Sequence, residues 1–327
     1  MEKNICQLCG GADFRKMPVR NIFNNCGYDL VQCRNCNLIM VNPMPSRDTI
    51  KDFYRDEYFE KDYKCGVKSN SYYEEESSTI EKAKQVLPLV KKLKPQGILL
   101  EIGCAGGTFL NEAQKNGYQA EGVEVSLSMS EKAQKLYGVK VRQGDFEEME
   151  FANESFDVIC MFDVFEHLRN PREALKTIHR ILKPEGIVVI DVPTTKNALA
   201  FRLSVSLLKV LRKIRQISLP PYHLYEYTSS TLQGFLNQTG FESKDVRKYA
   251  TLPWKYLNED SSRLKKIVLG MVRYLNYFLS VAFKVYTDRL LVIAQKGKDI
   301  AWDTEDKCEI QNEKSKSEEK EHQMVKV

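Results

Sequence analysis

Residues 97–108 read GILLEIGCAGGT, and this stretch decides the fold. The apolar run at 98–100 predicts a buried strand whose carboxyl end carries an acidic residue, Glu101. Three glycines follow, which allow a tight turn and a close approach of backbone N–H groups to a ligand. Residues 109–116 then have the composition of a helix. A strand, a glycine turn and a helix form the first unit of an α/β nucleotide-binding sheet.

Two classes of cofactor bind at such a turn. A dinucleotide site has the pattern G-x-G-x-x-G, but Ala105 and Thr108 stand at its second and third glycine positions. Glu101 would also repel a diphosphate, whereas a carboxylate suits a ligand with a cationic ammonium group, such as S-adenosylmethionine. The stretch resembles motif I of the class I S-adenosylmethionine-dependent methyltransferases, an acidic residue followed by G-x-G-x-G, with Ala105 at the middle glycine. An ordinary buried strand and glycine turn is the alternative.

Later residues extend the resemblance. Residues 118–125 form a second predicted strand, and Glu124 lies 21 residues after the first glycine of the turn. A carboxylate at this strand end can accept hydrogen bonds from both ribose hydroxyls. After a third strand at 139–142, the resemblance implies that Asp145 contacts the adenine amino group and that Phe146 packs on the ring. The resemblance assigns the cofactor site to Glu101, Gly103, Cys104, Ala105, Gly107, Glu124, Val125, Asp145, Phe146 and Phe162.

A further run, FDVI…EHL…ILKPEG within residues 156–186, is similar to the same family. Because ligands bind at the carboxyl ends of parallel strands, Asp163, Glu166 and His167 are expected to face the methyl donor. Members of the family commonly have a His-Leu pair further on, which implies that His223 lies close to the substrate. Methyl transfer to a hydroxyl needs a base for its proton, and His167 and His223 are the candidate catalytic residues.

The resemblance implies an α/β fold with a Rossmann-like, seven-stranded mixed sheet, in which strand seven at 288–295 is antiparallel if the family topology holds. Pro88 is expected to kink or break the helix predicted at 71–93. A sharp turn is predicted at 183–186. The predicted domains are a zinc ribbon at 1–45, a helical linker or lid at 46–95, a methyltransferase domain at 96–296 with amphipathic insertions at 197–216 and 264–286, and a disordered charged tail at 297–327.

Two C-x-x-C pairs precede the predicted sheet. Cys6 pairs with Cys9, and Cys33 pairs with Cys36 after 23 intervening residues. Four thiolates are the ligand set of closed, tetrahedral structural Zn²⁺, so a zinc ribbon is predicted; two pairs of free thiols are the alternative. Few Lys or Arg residues cluster here, which favours a folded lid or docking module over a nucleic-acid-binding module.

The 327 residues carry a formal net charge of +5, which is too mild to imply a nucleic-acid partner. No apolar stretch follows a basic start, so no signal peptide is predicted and a reducing, cytoplasmic location is expected. The insertion at 197–216 has five basic residues and no acidic one between 202 and 215, which fits an interfacial membrane helix. A helix packed on the protein with a basic outer face is the alternative.

The segment at 264–286 is strongly apolar but too polar for a confident transmembrane helix. It is expected to pair with the insertion at 197–216 as a hydrophobic cap or as a membrane-facing patch. The second of these would give peripheral contact with the inner face of the membrane.

The sequence is compatible with two functions. The first is S-adenosylmethionine-dependent methyl transfer to a small-molecule acceptor, such as a hydroxyl of a sugar, a lipid-linked glycan or a quinone-like compound. The second is a zinc-ribbon binding module, for nucleic acid or protein, on an inactive methyltransferase-like scaffold. The cofactor motifs and the scarcity of basic residues in the ribbon favour the first.

Overall fold

A seven-stranded sheet lies at the centre of the protein in the computed structural model. The structure describes residues 5–23, 26–53, 76–194, 217–218, 223–251, 263–283 and 285–297. In chain order, the strands are β1 (Phe14–Phe23), β2 (Cys26–Cys33), β3 (Ile39–Asn42), β4 (Gly97–Ile102), β5 (Tyr118–Glu124), β6 (Lys140–Gln143), β7 (Phe156–Phe162), β8 (Leu182–Pro193), β9 (Ile217–Ser218), β10 (Tyr225–Glu226), β11 (Phe241–Tyr249) and β12 (Arg289–Lys296).

The central sheet has the order β11-β12-β8-β7-β4-β5-β6. Strands β4 to β8 pair in parallel, and β12 is antiparallel to both β8 and β11. The predicted seven-stranded mixed sheet and its antiparallel seventh strand are therefore confirmed. Because β4 lies next to both β5 and β7, the turn after β4 and the segments after β5 and β7 meet at one edge of the sheet.

Helices cover both faces of the sheet. The helices of the described residues are α1 (Arg47–Phe53), α2 (Glu76–Leu93), α3 (Thr108–Lys115), α4 (Leu127–Tyr137), α5 (Pro171–Ile181), α6 (Ser229–Gln238) and α7 (Arg263–Phe283). Successive strand residues point to opposite faces. Leu99 and Val158 pack with α2 and α3, whereas Leu100 and Ile159 pack with α5 and α6. Burial of each such side chain contributes about 1.5–3 kcal/mol.

A second, smaller sheet joins the amino-terminal segment to the main domain. Its order is β10-β3-β2-β1-β9, and β3 pairs antiparallel with β10. The Val41 N–H also donates to the Leu224 carbonyl at 2.9 Å. Arg172 on α5 donates to the carbonyls of Gln7 and Leu8 at 3.0 and 2.8 Å. The predicted ribbon at 1–45 thus shares a sheet with the segment that carries His223.

Two local expectations can be compared with the structure. Pro88 lies inside α2, and the helix does not break there but continues to Leu93. The segment at 183–186 was expected as a turn, but it lies within β8, where Glu185 has a φ of 60° and the pairing with β7 shifts register between Phe156 and Val158. The turn is therefore an irregularity inside a longer strand, not a break before it.

Of the two predicted insertions, the one at 264–286 is helical in the structure, as α7. The insertion at 197–216, the part of the linker at 54–75 and the tail beyond Gly297 lie outside the described residues. Within the described ranges, no helix combines the length and the apolar character that crossing a membrane requires.

Candidate active site

The turn after β4 is held in a left-handed backbone conformation. Gly103 and Gly107 have φ values of 72° and 78°, and Ala105 between them has a φ of 47°. A Cβ atom on Gly103 would lie 2.4 Å from Val164 Cγ2, so this position needs glycine for space as well as for conformation. Ala105 keeps the backbone shape that glycine adopts freely, at a cost of about 1 kcal/mol. The departure from the motif therefore leaves the turn intact.

Glu124, at the end of β5, stabilises this turn through hydrogen bonds. Its two carboxylate oxygens accept hydrogen bonds from the Ala105 N–H at 2.8 Å and from the Ser126 N–H at 2.9 Å. Burial raises the pKa of Glu124, and the two N–H donors oppose that rise. Each carboxylate oxygen can accept a second hydrogen bond, so the group remains able to bind a hydroxyl.

Glu101 is the penultimate residue of β4 and is buried beside Glu124. It is 4% exposed, and its Oε2 atom has no hydrogen-bond partner among the described residues. Burial raises the pKa of Glu101 well above its usual range, while the nearby Lys82 ammonium opposes the rise. A buried carboxylate oxygen without a donor is costly, by about 1–3 kcal/mol. A ligand with an ammonium group would supply the missing donor and charge.

The other predicted cofactor residues lie around the ends of β5, β6 and β7. The Val125 side chain is exposed at the carboxyl end of β5 and offers an apolar surface. Asp145 caps a short 3₁₀ turn by accepting from the Glu147 N–H at 2.9 Å, and Phe146 packs into the core against Phe151. Phe162 lies at the end of β7.

Cys104, also predicted at the cofactor site, is buried within the turn. Burial raises the pKa of its thiol well above the usual range, so it is a packing group and not a nucleophile. A Cβ atom on Gly122 would lie only 2.5 Å from Cys104 Sγ. This close approach explains why glycine stands at that position of β5.

A second buried cluster lies at the same edge of the sheet, after β7. Glu166 and His167 belong to a short 3₁₀ turn, and His223 precedes β10. The imidazole rings of His167 and His223 have centroids 5.1 Å apart. Their Nε2 atoms lie 3.8 and 3.9 Å from Glu166 Oε1. On its other side, His223 Nδ1 is 3.2 Å from Glu226 Oε1. The structure thus brings together the two predicted catalytic histidines.

Burial dominates the electrostatics of this cluster. It raises the pKa of Glu166 well above its usual range, and it lowers the pKa of His167 to about 3, with the neighbouring His223 adding to the fall. His167 is therefore neutral at physiological pH, the form in which one imidazole nitrogen offers a lone pair and the other an N–H group.

A network of charges beside the cluster was not predicted from the sequence. Asp163 pairs with Arg289 and with Lys82, and Asp191 pairs with the same two cations at 2.6 and 3.0 Å. Tyr249 donates to both oxygens of Asp191. Asp163 was expected to face the methyl donor. Its carboxylate takes part in this network, which ties α2 and β12 to β7 and β8.

The four cysteines of the amino-terminal pairs form a third cluster. Their sulfur atoms all lie within 4.8 Å of one another, with Cys6 to Cys36 at 3.4 Å and Cys9 to Cys33 at 3.5 Å. A tetrahedral Zn²⁺ would hold its sulfurs about 3.8 Å apart. Burial raises the pKa of the Cys6 thiol to about 11, so that sulfur carries a proton at neutral pH unless a cation replaces it.

Comparison with known proteins identifies the family. The model of the family described as "Methyltransferase domain" matches residues 74–245, which is more than half of the chain. The chain belongs to this methyltransferase family. The strand order of its central sheet and the acidic residue near the end of β4 are those of the class I, S-adenosylmethionine-dependent type, as predicted from the sequence.

Among curated proteins, the chain is 27% identical over 179 residues to the O-methyltransferase resE of Aspergillus sclerotiorum, which covers 51% of this chain and 64% of resE. It is 24% identical over 158 residues to the ubiquinone biosynthesis O-methyltransferase of Rickettsia canadensis, covering 46% of this chain and 64% of the relative. The match thus spans less than two thirds of either relative. A solved SAM-dependent methyltransferase from Archaeoglobus fulgidus is 19% identical with a TM-score of 0.49, over 69% of this chain and 99% of that one.

The methyltransferase pocket generates a prediction for Glu101. Replacement by glutamine should weaken S-adenosylmethionine binding about 10- to 100-fold, because the ammonium group loses its anionic partner. The same change should leave the free energy of unfolding equal or higher, because the raised pKa of Glu101 means that ionising this buried group costs stability as the pH rises above its usual range.

Calorimetric titration and urea unfolding would measure the two effects. Glu121→Gln on β5 is the control, since its carboxylate pairs with Lys140 at the surface. Unchanged cofactor affinity in Glu101→Gln would show that Glu101 does not bind the ligand.

Proposed function

We propose that the protein transfers the methyl group of S-adenosylmethionine to a hydroxyl of a small-molecule acceptor. The observation that carries the proposal is the buried Glu101 carboxylate, which has an oxygen with no hydrogen-bond partner among the described residues, beside the Glu124-bound turn. An ammonium group on Glu101 and ribose hydroxyls on Glu124 would satisfy both. As the resemblance implies, we place Val125, Asp145, Phe146 and Phe162 around the nucleoside.

The chemistry is an in-line displacement. The acceptor oxygen forms a bond to the methyl carbon, the carbon–sulfur bond breaks, and its electron pair stays on sulfur as a neutral thioether. The sulfonium is already activated, so the protein contributes mainly the alignment of the three reacting atoms. The hydroxyl proton must also leave, which is the task predicted for His167 and His223. A pKa of about 3 makes His167 by itself a weak base, because an efficient base has a pKa near the working pH.

The class of acceptor is supported by the relatives and not by a pocket contact. Two relatives are named as O-methyltransferases, and one of these as acting in ubiquinone biosynthesis. A quinone-like or other hydroxylated ring compound is therefore the acceptor class we favour, ahead of a sugar or lipid-linked glycan. A fold does not specify its acceptor, so the test must survey all three.

Purified protein should bind S-adenosylmethionine with micromolar affinity. In a panel of dihydroxylated aromatic compounds, sugars and lipid-linked glycans, it should methylate the aromatic compounds. Glu124→Ala should abolish cofactor binding, since it removes the acceptor for ribose and releases the Ala105 N–H. Mass spectrometry of the products would give the site of methylation. Absence of cofactor binding together with salt-dependent binding of nucleic acid would support the alternative, a ribbon-based binding module on an inactive scaffold.

We also propose that Cys6, Cys9, Cys33 and Cys36 hold one structural Zn²⁺. Four thiolates leave no open position, so this ion would contribute stability and not chemistry. Loss of the ion would also affect the proposed acceptor side of the site, because β3 of the ribbon pairs with β10, next to His223.

Elemental analysis should therefore find about one zinc per chain. Cys33→Ser should lose the metal and lower the unfolding temperature, whereas Cys26→Ser, a change at the first position of the same strand, should retain both. A wild-type protein that folds fully after prolonged chelation, with no zinc, would exclude this role.

A third proposal concerns α7 and places the protein at the cytoplasmic face of a membrane. The polar residues Asn276 and Ser280 of this helix are buried, while the large apolar residues point outward, Phe278 being 60% exposed. The other exposed apolar side chains of the helix are Met271, Tyr274, Leu275, Val281 and Phe283. Residues 263–287 contain five Lys or Arg and no Asp or Glu. An apolar stripe within a basic segment fits the interface of an anionic bilayer.

Phe278→Glu should reduce binding to vesicles containing anionic phosphatidylglycerol by about 10-fold or more, because it puts a charge into the proposed apolar contact. Leu136→Glu on α4, which changes another exposed apolar side chain, is the matched control. Co-sedimentation with vesicles would measure both. Self-association of the wild type through this stripe, with no vesicle binding, would contradict the membrane assignment.

A further inference from the structure

The cluster after β7 has the composition of a metal site. One carboxylate oxygen of Glu166 and one imidazole nitrogen from each of His167 and His223 lie within 4.8 Å of one another. Two histidines and one carboxylate form a ligand set that binds divalent first-row transition metals and leaves positions open. We propose that Glu166, His167 and His223 bind a divalent transition-metal ion at the edge of the sheet where the methyl group is transferred.

The distances leave room for an ion and exclude a hydrogen-bonded arrangement. The Glu166 Oε1 atom is 3.8 Å from His167 Nε2 and 3.9 Å from His223 Nε2, both beyond hydrogen-bond length. An ion with bonds of about 2.0–2.2 Å would hold its ligands about 3–3.6 Å apart. The two Glu166–His distances would have to contract by less than about 1 Å to reach this range.

The Glu166 side chain has no other explanation in the fold. It is 1% exposed, and neither of its carboxylate oxygens has a hydrogen-bond partner among the described residues. The backbone of Glu166 already accepts from the Leu224 N–H at 3.0 Å, so the segment is tied to β10 without the side chain. A glutamate buried in this way costs stability unless something cationic completes it.

Glu226 supplies the support that a metal-binding histidine needs. Its Oε1 atom is 3.2 Å from His223 Nδ1, the ring nitrogen opposite the one that faces Glu166. An ionised Glu226 accepts from Nδ1–H, and Nε2 then keeps the lone pair that binds a cation. A carboxylate behind a histidine in this way fixes the tautomer and raises the basicity of the ligand. Asp163 is not counted as a ligand, because Arg289 and Lys82 engage it.

The site has an open side. The His167 side chain is partly exposed, whereas Glu166 and the His223 side chain are buried. Three protein ligands from one side leave further positions of a five- or six-coordinate ion for other molecules. An acceptor with two adjacent hydroxyls could occupy two of them.

This role rests on the proposed methyl transfer. A cation next to the acceptor lowers the pKa of its hydroxyl, so that the O–H bond breaks and the proton leaves to solvent. The oxygen lone pair then forms the bond to the methyl carbon as the carbon–sulfur pair passes to sulfur. The histidines would act as ligands, which removes the need for His167 to serve as a base.

Mn²⁺ is the probe of choice, because its free six-line paramagnetic resonance signal disappears on binding and because hard Mn²⁺ does not favour a four-thiolate site. Titration of the full chain should show one Mn²⁺ site. Glu166→Gln and His167→Gln should each weaken it at least about 50-fold, and Glu226→Gln about 10-fold. Glu173→Gln, an exposed change on α5, is the control. Because Glu166→Gln keeps the size of the buried side chain and removes only its ionisable group, we expect it to fold, and His167→Gln provides a second test if it does not.

Calorimetry with S-adenosylmethionine on the same proteins separates this inference from the proposed function, since cofactor affinity should be unchanged in Glu166→Gln. Methylation of a vicinal dihydroxybenzene should fall at least about 10-fold after chelation, under conditions that keep zinc in the ribbon, and should return with Mn²⁺. Loss of the Mn²⁺ signal that is equal in wild type and Glu166→Gln, or no loss in the wild type, would overturn the site. Cofactor binding with turnover that chelation does not change would overturn its role while leaving methyl transfer intact.

Discussion

The structure depends most on two buried carboxylates at one edge of the sheet, those of Glu101 and Glu166, because burying them is costly without a binding partner. Each has at least one oxygen without a hydrogen-bond partner in the described part of the chain, and such a group costs about 1–3 kcal/mol. A fold keeps groups of this kind where a ligand completes them. The ammonium group of the cofactor would complete Glu101, and a metal ion would complete Glu166.

The topology explains why these two carboxylates are close. β4 lies between β5 and β7, so the glycine turn after β4 is flanked by Glu124 on one side and by the segment of Glu166 on the other. The amino-terminal segment contributes as well. Its strand β3 pairs with β10 in the small sheet, and this pairing holds the segment that carries His223. The turn after β4, the segments of Glu166 and His223 and the amino-terminal sheet are in this way parts of one framework.

Much of this could be predicted from local sequence. The glycine turn, the spacing to Glu124 and the paired cysteines depend on residues close together in the chain, where a few positions dictate the backbone. His167 and His223 were both expected at the carboxyl ends of the strands, and in the structure their rings lie 5.1 Å apart. The backbone at Ala105 was not foreseeable, because nothing in the sequence says that alanine takes the left-handed conformation there.

The long-range electrostatics could not be predicted. Lys82 and Arg289 meet Asp163 across separations of 81 and 126 residues, and no spacing rule connects them. Glu226 was missed for a related reason, since its 3.2 Å contact with His223 Nδ1 belongs to no motif. β10 is two residues long, and pairing of so short a strand with the ribbon leaves no periodic signal.

The most direct test of the account is a crystal structure of the protein with S-adenosylhomocysteine. The account predicts that the amino group of the ligand lies within hydrogen-bond distance of Glu101, that its ribose hydroxyls lie on Glu124, and that its sulfur faces the side of His167 and His223. A ligand whose amino-acid end lies away from Glu101, with that carboxylate still buried and without a donor, would contradict it.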